Sequence, residues 1–189
     1  GLSWAAAAGL SLTDFTMSAW IRYHTLAAEE YQSPTFTRGT SSFGMGVYIY
    51  RPASTFYWSL GDQSSDNAST AVVVANRWYH ITWTRAGSTN DLLYVNGAVV
   101  VGPINLNESS VSAQANVGID PYAALPRMDL FGVKIWAAEL TRADIDRERY
   151  QLSPVRQAKL WAFVPGWSTT DTRDLSGNNR PPTVGGTPV

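Results

Sequence analysis

Leu92-Leu93-Tyr94-Val95-Asn96-Gly97-Ala98-Val99-Val100-Val101 sets two strand-forming runs on either side of an asparagine-glycine pair. Both residues of that pair tolerate positive φ, as a two-residue type I′ turn requires, and the twist of such a turn matches the strands it joins. The stretch predicts a β-hairpin. Just upstream, Arg77-Trp78-Tyr79-His80-Ile81-Thr82-Trp83-Thr84 sets Tyr79, Ile81 and Trp83 opposite Trp78, His80, Thr82 and Thr84. That is the period of a half-buried strand. Gly87 to Asn90 supplies turn formers between the two.

The same period recurs on both sides of this centre. Phe15 to Arg22 alternates Phe15, Met17, Ala19 and Ile21 with Thr16, Ser18, Trp20 and Arg22, which turns Trp20 away from the main core. Gly46 to Tyr50 puts Val47 and Ile49 on one face and Tyr48 and Tyr50 on the other, and Phe56, Trp58 and Leu60 share a face in the next run. These two runs are expected to pair across Arg51 to Thr55, since Pro52 cannot continue a ladder. Asn116 to Ile119, Leu130 to Trp136 and Leu160 to Val164 are further strands, with Val133 and Ile135 inward and Lys134 and Trp136 outward. One segment reads as helix. Thr141 caps it, Asp144 completes a capping box, and it ends before Pro154. Many short strands, turn signals and a single short helix predict an all-β, two-sheet antiparallel sandwich of jelly-roll type.

Composition narrows the function. Residues 1–189 suffice for one medium-sized domain with a single core. A net charge of −1 with 15% charged residues leaves no basic excess for a phosphate backbone, which argues against nucleic acid. With no cysteine there is neither a disulfide framework nor a thiolate nucleophile. Apolar stretches such as Ala5–Ala8 and Val72–Ala75 fall far short of the roughly 20 residues of a membrane-spanning helix, and Gly1-Leu2-Ser3-Trp4 shows no leader pattern. Eight Trp, nine Tyr and six Phe, with 15 Gly and 10 Pro, fit strands joined by tight turns.

The blocks also resemble a known family. Phe15-Thr16-Met17-Ser18-Ala19-Trp20-Ile21, Arg77-Trp78-Tyr79-His80-Ile81-Thr82, Leu93-Tyr94-Val95-Asn96-Gly97, and Phe131-Gly132-Val133-Lys134-Ile135-Trp136 before Glu139-Leu140-Thr141 are similar, in residues and order, to laminin G-like domains of the concanavalin A-like class. The resemblance spans about residues 10 to 150 and implies the concanavalin A-like sandwich. It also suggests an extracellular or surface-associated setting. Asp174-Leu175-Ser176-Gly177-Asn178-Asn179 is similar to a segment that such domains carry near their amino end. Lying here near the carboxyl end, it suggests a permuted way of supplying an edge strand.

Glycosidases of this fold class use a glutamate-x-aspartate-x-glutamate type of strand, since retaining hydrolysis needs two carboxyl groups about 5 Å apart. Asp144-Ile145-Asp146-Arg147-Glu148 has nearly that spacing but begins with aspartate and reads as a capped helix, so its acids are assigned to a charged helix surface. Gly39-Thr40-Ser41-Ser42-Phe43 lacks the last glycine of a nucleophile elbow, Gly44-Met45-Gly46 leads into a strand rather than a dinucleotide-binding helix, and the two histidines, His24 and His80, form no zinc helix. Asp174 and Asn178, with Asp171 nearby, are candidate calcium ligands, the competing reading being a turn satisfied by its own backbone. Asn67-Ala68-Ser69 and Asn107-Glu108-Ser109 match the glycosylation pattern and read as polar loops.

What remains is an outward set. Arg22, Tyr48, Tyr50, His80, Tyr94, Lys134 and Trp136 lie on the sides of their strands opposite the apolar residues. Sugars present apolar C–H faces rimmed by hydroxyls, so aromatic platforms with polar neighbours suit them. A candidate binding set follows, with Tyr48 and Tyr50 as platform and Arg22, His80 and Lys134 reading hydroxyls. The expected function is a noncatalytic carbohydrate-binding or adhesive module with a glycan partner. Its competitors are a structural or surface-assembly protein of a bacterium or virus, and a glycosidase or lyase with an unrecognised site.

Overall fold

A computed structural model describes residues 1–5, 7–26, 35–38, 45–61, 66–87, 89–106, 114–118, 128–166 and 172–184. The Gly39–Phe43 run, Gly44, the Asn107–Ser109 pattern, Ile119 and Asp171 lie outside the described residues.

The strands are β1 (Leu2–Trp4), β2 (Phe15–Tyr23), β3 (Phe36–Arg38), β4 (Met45–Tyr50), β5 (Tyr57–Gly61), β6 (Asp66–Val72), β7 (Trp78–Ala86), β8 (Asn90–Val95), β9 (Ala98–Ile104), β10 (Ala115–Val117), β11 (Met128–Trp136), β12 (Leu160–Val164) and β13 (Thr183–Val184). The helix α1 (Arg142–Glu148) lies between β11 and β12. One sheet has the order β13-β1-β10-β3-β4-β5-β6 and the other β12-β11-β2-β7-β8-β9, with antiparallel pairing throughout. The fold is the concanavalin A-like sandwich.

Alternation explains the core. Met17, Ala19 and Ile21 of β2, Ile81 and Trp83 of β7, Val47 and Ile49 of β4, and Trp58 and Leu60 of β5 are all fully buried in one cluster between the sheets. Each fully buried large aliphatic or aromatic side chain contributes about 1.5–3 kcal/mol to folding. Asn96 and Gly97 have φ of 52° and 81° and join β8 to β9, as their pairing predicts. Glycine has a second reason at 97: a Cβ there would stand 2.5 Å from Arg149 Nη1, because the end of α1 docks on this turn.

Two features depart from the sequence reading. First, the outward side of the six-stranded sheet is not a solvent face over its whole length. Tyr94, Trp136, Leu140, Ile145, Leu160 and Phe163 form a second buried cluster where α1 and its flanking segments pack on that sheet. Thr16 ties this layer down by donating from Oγ1 to Ala138 O (3.0 Å) and accepting from Leu140 N (2.9 Å). Trp136 and Tyr94 do face away from the first core, but into the second. Secondly, Asn67–Ser69 belongs to β6 rather than to a loop. Its residues carry no apolar alternation, and pairing with β5 at the sheet edge imposes the strand. The Thr141 capping box forms as expected, with the Thr141 side chain accepting from Asp144 N.

The carboxyl-terminal segment supplies the edge strand. β13 pairs with β1 through Leu2↔Val184 and Ser3↔Thr183, so the first and last strands complete one side of the seven-stranded sheet.

Candidate functional site

On β4, Val47 and Ile49 point into the core, which leaves Tyr48 and Tyr50 half-buried on the outer face of the seven-stranded sheet. Pairing adds a third ring, because Tyr50 lies directly opposite Tyr57 of β5. Tyr57 was absent from the expected set, although the shared face of Phe56, Trp58 and Leu60 already turns it outward. Residues two apart on a strand stand about 7 Å from each other, and directly opposed residues about 5 Å. The three rings therefore form an angled strip large enough to meet more than one sugar face. Val72, 47% exposed, is the β6 partner of Tyr57 and borders the strip, and at the hairpin end Arg51 stands over the Phe56 ring at 5.5 Å.

Toward β1 this face carries a polar row. Ser3 Oγ donates to Asn116 Oδ1 at 2.7 Å, and Asn116 Nδ2 donates to Thr37 Oγ1 at 3.0 Å, a row crossing β1, β10 and β3.

Arg22, His80 and Lys134 do not flank the tyrosines, which corrects the expected grouping. All three belong to the six-stranded sheet and face the opposite side of the sandwich. Alternation reveals the side of a strand a residue occupies but not the sheet to which that strand belongs. Arg22 donates from Nε to Asp129 Oδ2 at 2.7 Å, and its guanidinium lies 5.1 Å from the Trp78 ring centre. His24 Nε2 stands 3.0 Å from the other Asp129 oxygen.

His80 and Lys134 are buried, each 3% exposed. Burial, reinforced by the charges of Lys134 and Arg149, pulls the His80 pKa down to about 3, so the ring is neutral at pH 7. Its Nε2 stands 3.0 Å from Ser18 Oγ, which also accepts from Thr82. The Lys134 ammonium donates to Glu148 Oε2, Glu148 O and Gln151 O at 2.8, 3.0 and 2.7 Å. Those three bonds use all its protons, so Lys134 holds the helix layer in place.

The acids of α1 are equally committed. Asp144 caps the helix and accepts from Arg156 Nη1 at 2.5 Å, and Asp146 pairs with Arg142 at 3.1 Å. Glu148, expected on the helix surface, is instead 2% exposed beneath it, facing Lys134. No two of these carboxylates face each other across a cleft.

Asp174 and Asn178 sit in a tight turn against β12. Asp174 Oδ1 accepts from the N–H groups of Phe163 and Ser176, and Oδ2 from Ser176 Oγ and Arg180 N, all at 2.8–2.9 Å. Burial raises the carboxyl pKa, but these donors outweigh it and hold the group below its ordinary value. Asn178 Nδ2 donates to Leu160 O at 2.8 Å. These donors engage both Asp174 oxygens, and a calcium ion would have to displace them to reach the carboxylate.

The family described as the concanavalin A-like lectin/glucanases superfamily matches residues 2–146, well over half of the chain. No curated protein gives a significant sequence match. Among solved structures, a candidate carbohydrate binding protein from Bacteroides ovatus superposes with a TM-score of 0.65 at 16% identity, covering 90% of this chain and 51% of that one. Trypanosoma rangeli sialidase gives 0.60 at 17% identity, covering 77% of this chain but 25% of the enzyme. Botulinum neurotoxin type C, which depends on interaction with two ganglioside molecules to get into cells, gives 0.50 at 18% identity over 71% of this chain and 35% of the toxin. This chain thus spans about half of the Bacteroides protein and a quarter of the sialidase.

Proposed function

The chain belongs to the concanavalin A-like lectin/glucanases superfamily, and from that premise we propose that it is a noncatalytic module that binds glycan on the outer face of its seven-stranded sheet. The observation that carries this reading is the strip of Tyr48, Tyr50 and Tyr57 on two paired strands. Each ring is a flat hydrophobic surface suited to the C–H face of a sugar. The rigid sheet beneath fixes their spacing, which reduces the ordering cost of binding.

The helix carboxylates support binding without cleavage, since each is taken up by a cap or an ion pair. The similarity in fold to a candidate carbohydrate binding protein and to a toxin that interacts with gangliosides supports a glycan partner. A glycan array, run with and without calcium, tests the proposal. The wild-type chain binds at least one glycan, and Tyr48→Ala weakens that binding by about 1 kcal/mol or more with little change in stability. Unchanged affinity in Tyr48→Ala removes the strip from the site.

A further inference from the structure

The opposite side of the sandwich carries a depression of about 260 Å³. It lies where the uncovered half of the six-stranded sheet meets the end of α1. The pairing of β11 with β2 shifts register between Phe131 and Lys134, and within this bulge Gly132 has φ +61°. Bulges re-aim the side chains beside them, and here Phe131 stands out of the sheet, 37% exposed. A Cβ on Gly132 would meet nothing within 4 Å, so the backbone at this point is open to an approaching group. Trp20 lies opposite Phe131, with its indole N–H held by Arg149 O at 3.1 Å. Tyr150, 71% exposed, completes the aromatic lining, and the Arg149 guanidinium stacks on its ring at 4.5 Å. Gln151 adds an amide to the lining. His80 lies edge-on to Trp20 at 5.2 Å and also lines the depression. Its Nδ1 is buried and has no hydrogen-bond partner among the described residues.

We propose that this depression is a second saccharide site, sized for a single pyranose ring, on the face opposite the tyrosine strip. It rests on the glycan-binding reading above. Three aromatic rings around a neutral imidazole and an amide suit a ring with an apolar face and hydroxyl edges. The ions nearby are already paired, Lys134 with Glu148 and Arg149 with Asp146, so the lining does not select a charged ligand. Its volume falls just below the usual range for drug-sized ligands, about 300–1,000 Å³, and holds one ring rather than a chain. With binding surfaces on both faces, one molecule bridges two glycan chains.

The test uses the full chain and a panel of methyl glycosides of glucose, galactose, mannose, fucose and N-acetylglucosamine. Each is titrated to about 50 mM, far above a millimolar dissociation constant, while the Trp20 indole and His80 ring signals are followed by nuclear magnetic resonance. At least one glycoside shifts both signals in the wild type and in a Tyr48→Ala/Tyr57→Ala variant. Tyr150→Ala and Phe131→Ala each weaken that response by about fivefold or more, and Tyr150→Ala leaves the melting temperature unchanged. If no glycoside moves the two signals in folded wild-type protein, or if Tyr150→Ala leaves the response unaltered, the second site is overturned. The array result at the tyrosine strip is read separately, so either site can fail alone.

Discussion

Lys134 and Glu148 face each other at 2.8 Å beneath the helix, on a sheet face where both side chains are almost fully buried. The second Glu148 oxygen accepts from the N–H groups of Val155 and Arg156 at 2.9 and 2.6 Å. One ion pair therefore pins α1 and the segment after it to β11. Removing one member strands the other in a low-dielectric site, which typically costs about 3–5 kcal/mol. Lys134→Ala should lower the unfolding free energy by that order in urea titrations while leaving affinity at the tyrosine strip intact. A loss below about 1 kcal/mol means that the pair does not pin the layer.

His80 makes stability depend on pH. Its pKa falls from 6.5 to about 3 on folding, so in that window the unfolded chain takes up a proton that the folded chain refuses. Stability then declines as pH falls from 6.5, by up to about 1.4 kcal/mol per pH unit. His80→Gln removes this contribution. Urea midpoints at a series of pH values from 7 to about 4.5 should fall more steeply for the wild type than for His80→Gln, and parallel curves would exclude His80 as the cause.

The Asp174 turn gives a stability effect and a calcium result. Asp174→Ala leaves the N–H groups of Phe163, Ser176 and Arg180 without their acceptor and should cost about 1–3 kcal/mol. Because the carboxyl pKa is lowered in the fold, its stabilisation is present above about pH 4 and is lost as pH falls through the folded value. Calcium added to chelator-treated protein is expected to leave the melting temperature unchanged. A rise at millimolar calcium would show that the ion displaces these donors.

Asp146 is a surface partner of Arg142 and Arg149. Asp146→Ala should change stability by less than about 1 kcal/mol and leave any polysaccharide turnover by the wild-type chain intact. A drop of several orders of magnitude in turnover by a folded variant would make this helix a catalytic element.

The main strands and the helix cap were legible because their physics is local. Asn96-Gly97 demands positive φ, Thr141 and Asp144 satisfy each other's backbone, and Met17, Ala19 and Ile21 repeat at the strand period. β3 and β6 were not legible. The first is three residues long with a buried arginine, and the second is mostly polar and held at a sheet edge. Partition between sheets was hidden too, since Tyr48 and Arg22 look alike in alternation and end up on opposite faces. Burial of Lys134 required knowing that α1 folds back over β11, a contact set by tertiary packing. Tyr57 was readable from its neighbours, whereas the bulge at Gly132 emerges only from the register of β11 against β2.

The seam between β1 and β13 has a mechanical consequence. Leu2 lies beside Val184, and in antiparallel register the chain leaves both strands at the same end of the pair. Tension applied through these two residues opens the pairs one after another, as a zipper opens, instead of shearing them together. With only two residue pairs in the seam, load applied at Leu2 and Val184 falls on one pair at a time. β10 and β3 stand between the seam and β4, so peeling it does not pull on the strands that carry Tyr48, Tyr50 and Tyr57. A molecule tethered through this seam and holding a ligand at the tyrosines would lengthen at its margin before it lost its grip.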